Sequence, residues 1–131
     1  MRYVTILFCL VLLALSSPAF AAEPATALVC EQAAIAGNST YTSAPIGVSM
    51  AEGFFTLSAR QDGTGPVTIG YQVSVNGLDW ATPDGAEAII TDMGDGIRIT
   101  AFDPVYAPWL RIIVSNTGTS EVLATVRVAY R

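Results

Sequence analysis

The chain has 131 residues, is 52% hydrophobic and carries a formal net charge of −5. Its six basic residues are all arginines, because the sequence contains neither lysine nor histidine. An acidic surface repels phosphate groups, so binding to nucleic acid or anionic lipid is not expected. The absence of histidine removes the usual general base near neutral pH.

The first segment has the features of a secretory signal peptide. Arg2 supplies a positive start, residues 4–15 are almost uniformly apolar, and small residues follow. We predict cleavage after Ala21, with Ala22 as the alternative, which gives a signal peptide at 1–21 and a domain at 22–131. The apolar run is shorter than the roughly 20 helical residues that span a bilayer, so no transmembrane anchor is expected. The exported chain would be extracellular, on the cell surface or in the periplasm.

Loss of Arg2 with the leader changes the net charge to −6 and leaves Cys30 as the only cysteine. No intramolecular disulfide can then form, even in an oxidising compartment. Two interpretations of Cys30 stay open: a small buried hydrophobe near the first strand, which is favoured, and an intermolecular disulfide.

The first half of the predicted domain reads as extended chain. Residues 27–35 are predicted as a strand in preference to one helical turn, and residues 40–48 as extended, with Pro45 indicating a sheet edge. Residues 54–61 form the next strand. Period-two alternation assigns one face of that strand to Phe55, Leu57 and Ala59.

A hairpin is predicted at residues 66–82. Apolar side chains alternate with polar ones from Val67 to Val75. The Asn76-Gly77 pair that follows suits a type I′ turn, in which both central residues need positive φ. Residues 78–81 would be the return strand.

The last third alternates most regularly. A short strand at 88–91 precedes a glycine-rich turn, after which Ile97, Ile99 and Ala101 alternate with Arg98, Thr100 and Phe102. Pro104 and Pro108 bracket a connection. Residues 110–115 and 122–130 are strands, and the turn Asn116–Thr119 between them predicts a C-terminal hairpin.

These elements predict the fold class. About eight strands are separated by turns rich in glycine or aspartate, and no helix-period segment follows the leader. We therefore predict an all-β chain folded as a single antiparallel β-sandwich of jelly-roll type.

Five segments stand in a recognisable order: Tyr41–Ile46, Gly53–Leu57, Gly63–Ile69, Tyr71–Trp80 and Tyr106–Ile112. In this order they resemble a family of small β-sandwich proteins of bacterial and prophage gene sets, mostly without assigned function. The Asn-Gly segment and the run Trp109–Ile112 also resemble discoidin-like sandwiches, which bind sugars or lipid head groups. These resemblances imply the fold, whereas function depends on a site. The leader departs from the phage relatives, which stay cytoplasmic until virion assembly, and favours a surface or extracellular role.

Catalysis is not expected. Carboxylate-pair hydrolysis is open in principle to six acidic residues: Asp79, Asp84, Glu87, Asp92, Asp95 and Asp103. Each lies beside glycine or proline or at a strand end, where aspartate commonly caps turns. No paired residues of catalytic type and no nucleophile-elbow serine are present. The sequence therefore predicts a protein that is not an enzyme.

One weak metal site and one ligand site are candidates. Asp92 and Asp95 place two carboxylates in a tight loop of the kind that can hold calcium, although a plain turn is favoured. No other cofactor is expected. Trp80, Tyr106 and Trp109 fall in or beside loops, where flat rings could stack on sugars of a glycan. The competing interpretation of these rings is packing within the sandwich.

Self-association is the favoured role. A sandwich has open sheet edges, and lysine, the usual protector of edges, is absent. Residues 121–131 and 22–36 are candidates for strand addition to a neighbouring subunit, while pairing within one monomer is equally compatible. The sequence predicts a homo-oligomeric structural subunit of a cell-surface or extracellular assembly, such as a filament. The alternative is a carbohydrate-binding or adhesive module that uses the three aromatic residues.

Overall fold

The computed structural model describes residues 23–131, so the predicted signal peptide and its cleavage sites lie outside the described residues. The strands are β1 (Ala25–Ile35), β2 (Ser39–Thr42), β3 (Ile46–Gly47), β4 (Phe55–Asp62), β5 (Val67–Ser74), β6 (Ile90–Met93), β7 (Gly96–Phe102), β8 (Trp109–Asn116) and β9 (Val122–Tyr130). Across residues 23–131, no helix is long and apolar enough to span a membrane.

The strands form two antiparallel sheets that pack face to face. Sheet A has the order β1-β9-β4-β7, and sheet B has the order β2-β8-β5-β6, with β3 also paired to β8. Apart from the two-residue β3, this order is that of the two interlocked Greek keys of a jelly roll. The predicted fold class is confirmed. Residues 23–131 contain nine strands in place of the expected eight, because a break that includes Pro45 divides the extended segment 40–48 into β2 and β3.

Period-two burial forms the core between the sheets. Phe55, Leu57 and Ala59 of β4 are buried, as predicted. The inner faces of β8 and β9 are also buried: Leu110, Ile112, Val114, Val122, Ala124, Val126 and Val128. Burial of each large aliphatic side chain contributes about 1.5–3 kcal/mol, so these strands account for much of the stability of the fold.

Both predicted hairpins are wrong. β8 lies in sheet B and β9 in sheet A, so the turn between them is an arch that crosses from one sheet to the other. After β5, a single bridge between Val73 and Ala81 replaces the predicted return strand. Of the Asn76-Gly77 pair, only Gly77 has a positive φ, 75°, whereas a type I′ turn needs two.

The predicted alternation also fails at the end of β5. Ser74 is buried and Val75 is 82% exposed, the reverse of the predicted pattern, because β5 ends at Ser74 and the chain turns away from the sheet. The strand predicted at 88–91 begins two residues later, at Ile90.

Strand β7 is an edge of sheet A with its apolar side chains directed outward. It pairs with β4 so that Arg98 lies opposite Ala59 and Thr100 opposite Leu57, two residues of the core. Ile97 and Ile99 therefore point away from the core, with exposures of 66% and 71%. Alternation was predicted correctly here, but alternation does not identify which face is inward when the inner face of an edge strand is polar.

The predicted segments for strand addition pair with each other. β1 (Ala25–Ile35) is hydrogen bonded to β9, and β9 is also hydrogen bonded to β4. Both edges of β9 are occupied, so strand addition through residues 121–131 is excluded in this fold. The prediction of β1 as a strand is confirmed, and its pairing shifts register on either side of Cys30.

Asn116 organises one end of the sandwich, which we call the closed end. The closed end comprises the connections 36–38, 63–66, 94–95 and 117–121. The buried Nδ2 group of Asn116 donates to the carbonyl oxygens of Ile35 (3.0 Å), Ala36 (3.2 Å) and Ser120 (2.8 Å). Its Oδ1 accepts from the backbone N–H of Gly118 at 3.0 Å. One amide thus joins the β1–β2 connection to the β8–β9 arch.

The turns of the closed end approach each other closely. A Cβ atom at Gly37 would overlap the carbonyl group of Thr119, so only glycine fits there. Gln61 is buried, and its Nε2 donates to the carbonyl oxygens of Gly63 (3.1 Å) and Gly65. Backbone groups that two sheets leave unpaired at this end are therefore satisfied by two buried amide side chains.

We expect Asn116→Ala to lower the free energy of unfolding by about 3 kcal/mol, because it leaves several buried backbone groups unpaired. Urea unfolding followed by circular dichroism measures this loss. The matched control is Ser115→Ala on the same strand, whose hydroxyl bonds only to the exposed Thr40 hydroxyl at 3.1 Å. The control should change stability by less than about 0.5 kcal/mol. Equal losses in the two variants would contradict the role of Asn116.

Candidate functional site

Three connections meet at the end of the sandwich opposite the closed end. We call this the loop end, formed by residues 48–54, 75–89 and 103–108. The first and third connections line a cavity of ≈ 120 Å³ between the sheets, together with Phe55, Val73 and Leu110. The second and third connections line an adjacent cleft of ≈ 360 Å³. Residues 48–53, 84–89 and 103–107 are therefore neighbours at this end, and Asp103 and Val105 line both spaces.

The loop end exposes large apolar side chains. Six of the most exposed hydrophobic residues in the described part of the chain lie on its three connections: Met50, Phe54, Val75, Leu78, Val105 and Tyr106. Met50 is 90% exposed and Leu78 81%. Single exposed apolar residues are common, but a group on converging loops is typical of an interaction site.

Hydrogen bonds hold the connection that carries Leu78 in one conformation. Asn76 Oδ1 accepts from the backbone N–H groups of Leu78 and Asp79, both at 2.9 Å, and Asn76 Nδ2 donates to Asp79 Oδ2 at 2.7 Å. The buried Ser74 hydroxyl accepts from the N–H of Gly77 at 2.9 Å. The side chain of Leu78 is thus presented to solvent by an ordered loop, which lowers the entropy cost of contact with a partner.

Two of the three predicted ligand residues lie on the outer face of sheet B. The guanidinium group of Arg111 lies 4.6 Å from the ring centre of Trp80, and it donates to Gln72 Oε1 at 2.8 and 2.6 Å. Trp109 is two residues before Arg111 on β8 and so faces the same side. One ring face of Trp80 is therefore in contact with a cation of the same chain.

Trp109 faces outward and is not part of the buried core. Its ring lies beside two glycines, 3.5 Å from where a Cβ of Gly47 or Gly77 would stand. The ring therefore lies close against two stretches of backbone and is 37% exposed. The small neighbours leave part of the ring accessible at the margin of the loop end.

The third predicted ligand residue, Tyr106, lies apart from the tryptophans, at the opening between the two sheets. It lines the ≈ 120 Å³ cavity with Val48, Phe55 and Leu110 and is 82% exposed. The structure thus places Tyr106 over the interior and Trp80 and Trp109 on the outer surface of sheet B. Their role in binding a ligand stays a prediction.

Carboxylates surround the apolar loops. The ≈ 360 Å³ cleft is lined by Asp84, Glu87 and Asp103 together with Val105. Among residues 23–131, no group of three or more histidine, cysteine, aspartate or glutamate residues is arranged to hold a metal ion. The guanidinium group of Arg131 does not line this cleft. It lies 3.7 Å from the Glu52 carboxylate and 5.4 Å from the ring centre of Phe54. The cleft is therefore an acidic surface beside an apolar one.

The candidate calcium residues lie at the closed end. Asp92 belongs to β6 and has a φ of 48°, a conformation that aspartate adopts more readily than most residues. The Asp95 carboxylate accepts from the backbone N–H of Gly63 at 3.3 Å. This contact is the turn-stabilising role that the sequence favours for Asp95.

Cys30 is buried in β1, where its thiol donates to the carbonyl oxygen of Ala124 at 3.5 Å. Burial raises the pKa of the Cys30 thiol above its ordinary value of 9.0, against a smaller opposing effect of the backbone at Val126. The thiol is therefore neutral at physiological pH and inaccessible, as expected for a core hydrophobe.

Most of the exposed apolar residues were not identified from the sequence. Val75 was assigned to the interior and Leu78 to a return strand, because both continue an alternating pattern. Met50, Phe54 and Val105 stand in segments without periodicity. The only usable signal was apolar residues beside Gly53, Gly77 and Pro104, at positions where strands end.

No protein-family model matches the chain. No curated protein matches it either. The resemblance to bacterial and prophage sandwich proteins therefore stays a prediction.

The solved structures that match the chain include the following two. One is PliG from Aeromonas hydrophila, a periplasmic lysozyme inhibitor of g-type lysozyme, with 18% identity, a TM-score of 0.47, and coverage of 88% of this chain and 92% of that chain. The other is a structure of infectious bursal disease virus, Gx strain, with 16% identity and a TM-score of 0.44. It covers 82% of this chain, which spans 31% of the viral chain. These similarities do not assign a function.

We expect millimolar calcium to leave the Tm unchanged, because Asp95 already bonds to backbone and Asp92 stands alone in a strand. Differential scanning fluorimetry with calcium and with magnesium as the control measures this. An increase in Tm specific to calcium that disappears in Asp95→Asn would instead establish the calcium site.

We expect Cys30 to resist thiol reagents in the folded protein at pH 8 and to react fully in urea, because only the exposed thiolate is a nucleophile. Titration with a chromogenic disulfide measures the two rates. A covalent dimer through Cys30 on non-reducing electrophoresis of the folded protein would contradict this expectation.

Proposed function

We propose that this chain is an exported binding domain without enzymatic activity that attaches to a partner protein through the loop end. The observation that carries the proposal is the group of exposed apolar side chains on the three converging connections. Exposed apolar side chains are stabilised by contact with another surface, since their burial removes them from water.

The fixed conformation of these loops supports a binding role. The hydrogen bonds of Asn76 fix the second connection, and the backbone N–H of Phe54 donates to the carbonyl oxygen of Arg131 at 3.3 Å, which ties the first connection to the end of β9. Exposed apolar residues on ordered loops contribute to affinity without a large loss of entropy on binding.

The composition of the surface favours a protein partner with basic side chains. Met50, Val75, Leu78 and Val105 are aliphatic or thioether side chains, whereas a sugar site depends on flat rings with hydrogen-bonding groups around them. The Asp84, Glu87 and Asp103 carboxylates of the adjoining cleft attract cations. The same carboxylates repel anionic lipid.

The proposal that the chain is not an enzyme rests on its side chains. The chain contains no histidine and no lysine, and the carboxylates that line the cleft are exposed. Export rests on the leader features of residues 1–21. The role of structural subunit predicted from strand edges requires an edge other than those of β9.

Site-specific photo-cross-linking in the producing cell tests the proposal. We expect a photoreactive phenylalanine derivative at Leu78 or Tyr106 to give covalent adducts with one partner protein, mapped by mass spectrometry to a region rich in arginine or lysine. The matched control position is Leu123, another exposed apolar residue, which lies at the start of β9 near the closed end. Equal adducts from Leu123 would contradict the proposal.

The double variant Leu78→Ser and Tyr106→Ser separates binding from folding. Both side chains are exposed, so the Tm should stay close to that of the unmodified protein, while adduct formation from a probe at Val105 should fall at least about tenfold. Leu123→Ser should leave both values unchanged. Retention of the protein on a glycan array, lost in Trp80→Ala or Trp109→Ala, would replace the proposal with the carbohydrate-binding alternative.

A further inference from the structure

Three of the four sheet edges carry features that oppose pairing with another strand. β1 is interrupted by register shifts around Cys30, and Gln32 has a φ of 45°. β2 and β3 are short and separated by a segment that contains Pro45. β6 has four residues, a register shift and the left-handed Asp92. Bulges, proline and short length are the usual means by which edges avoid association.

Strand β7 (Gly96–Phe102) is the exception. It pairs with β4 without a register shift over its whole length, and no proline lies within it. Within the described residues no strand is paired to its opposite edge, because β7 is the last strand of sheet A, and Ala101 and Phe102 face residues 84–89 across the ≈ 360 Å³ cleft. The outward Ile97 and Ile99 are also more exposed than most large apolar side chains.

We propose that β7 pairs with β7 of a second copy of this chain. Antiparallel pairing about a two-fold axis at Ile99, the middle residue of the strand, engages all of Gly96–Phe102 in both copies. In this register Ile99 lies opposite Ile99 of the second copy, and Ile97 lies opposite Ala101 on the same face. Cross-strand apolar pairs of this kind stabilise a sheet.

The position of Arg98 is compatible with this register. Arg98 lies opposite Thr100 of the second copy, so the two guanidinium groups do not face each other directly. The side chain is exposed on the inner face of β7, at the open margin of the sandwich, where it stays hydrated beside the second copy. A two-fold axis at Arg98 itself would place like charges opposite each other, which disfavours that register.

The pairing closes on itself. An isologous contact through one edge uses β7 once in each copy, so the product is a dimer with a continuous eight-stranded sheet and not a filament. Because β7 leads into the loop end at Asp103 and the two copies run antiparallel, their loop ends point in opposite directions. The dimer would thus present two binding surfaces on opposite sides.

Cysteine cross-linking tests the register in the purified protein. Ile99→Cys should give a disulfide-linked dimer under mild oxidation, because paired residues in antiparallel strands lie within the Cα distance of about 4.4–6.8 Å that a disulfide needs. Ile97→Cys should not, because the two copies of residue 97 would be about 13 Å apart along the strands. Ile97→Cys combined with Ala101→Cys should restore the cross-link. Equal cross-linking of the two single variants would overturn the register.

Sedimentation equilibrium tests association without a cross-link. We expect a dimer with a dissociation constant between about 1 µM and 1 mM, the range typical of small interfaces. Ile99→Arg should weaken it at least about 100-fold by opposing two charges at the axis. Leu28→Arg, at an exposed site on the other edge of sheet A, should not. The proposal would be overturned if the protein stayed monomeric at all concentrations up to about 1 mM, or if Leu28→Arg also dissociated the dimer. Neither result depends on binding at the loop end.

Discussion

The arrangement of the sandwich depends on the buried amide of Asn116. Jelly-roll strands pass from one sheet to the other through arches, and each arch leaves backbone groups that neither sheet pairs. Asn116 hydrogen bonds to four backbone groups, from the end of β1, the β1–β2 connection and the β8–β9 arch, with one side chain. Its position at the end of β8 fixes where that strand stops, and hence the register of the inner faces that form the core.

The two ends of the molecule are built by different interactions. At the closed end, close glycine contacts and the amides of Gln61 and Asn116 leave little freedom for the turns. At the loop end, the core ends at a pair of aromatic rings, Phe55 and Tyr130, whose centres lie 6.0 Å apart. The connections beyond these rings are longer than those of the closed end and carry exposed apolar residues. The closed end is thus held by specific hydrogen bonds, and the loop end carries exposed residues that do not contribute to the core.

The local alternation of apolar and polar residues was sufficient to predict where the strands lie, but not which strands pair with each other. The inner face of β4 and the strands that became β8 and β9 were predicted correctly, because alternating burial is a property of one strand and its two environments. Both hairpins were wrong, since a turn sequence does not determine whether the next strand stays in the same sheet. The outward direction of Ile99 and the exposure of Leu78 follow from the ends of the sheet and the loops, which depend on residues distant in sequence.

The pairing of β1 with β9 has a consequence for the time course of folding. Ala25 lies opposite Tyr130, and Cys30 opposite Val126, so the β1–β9 pair of sheet A joins segments from the two ends of the described chain. Contacts this distant in sequence slow the search for the native state, because a long loop must close before they form. If the chain is exported through its predicted signal peptide, slow closure of this long loop keeps the polypeptide unfolded while it crosses the membrane. Sheet A is then completed only after β9 has been translocated.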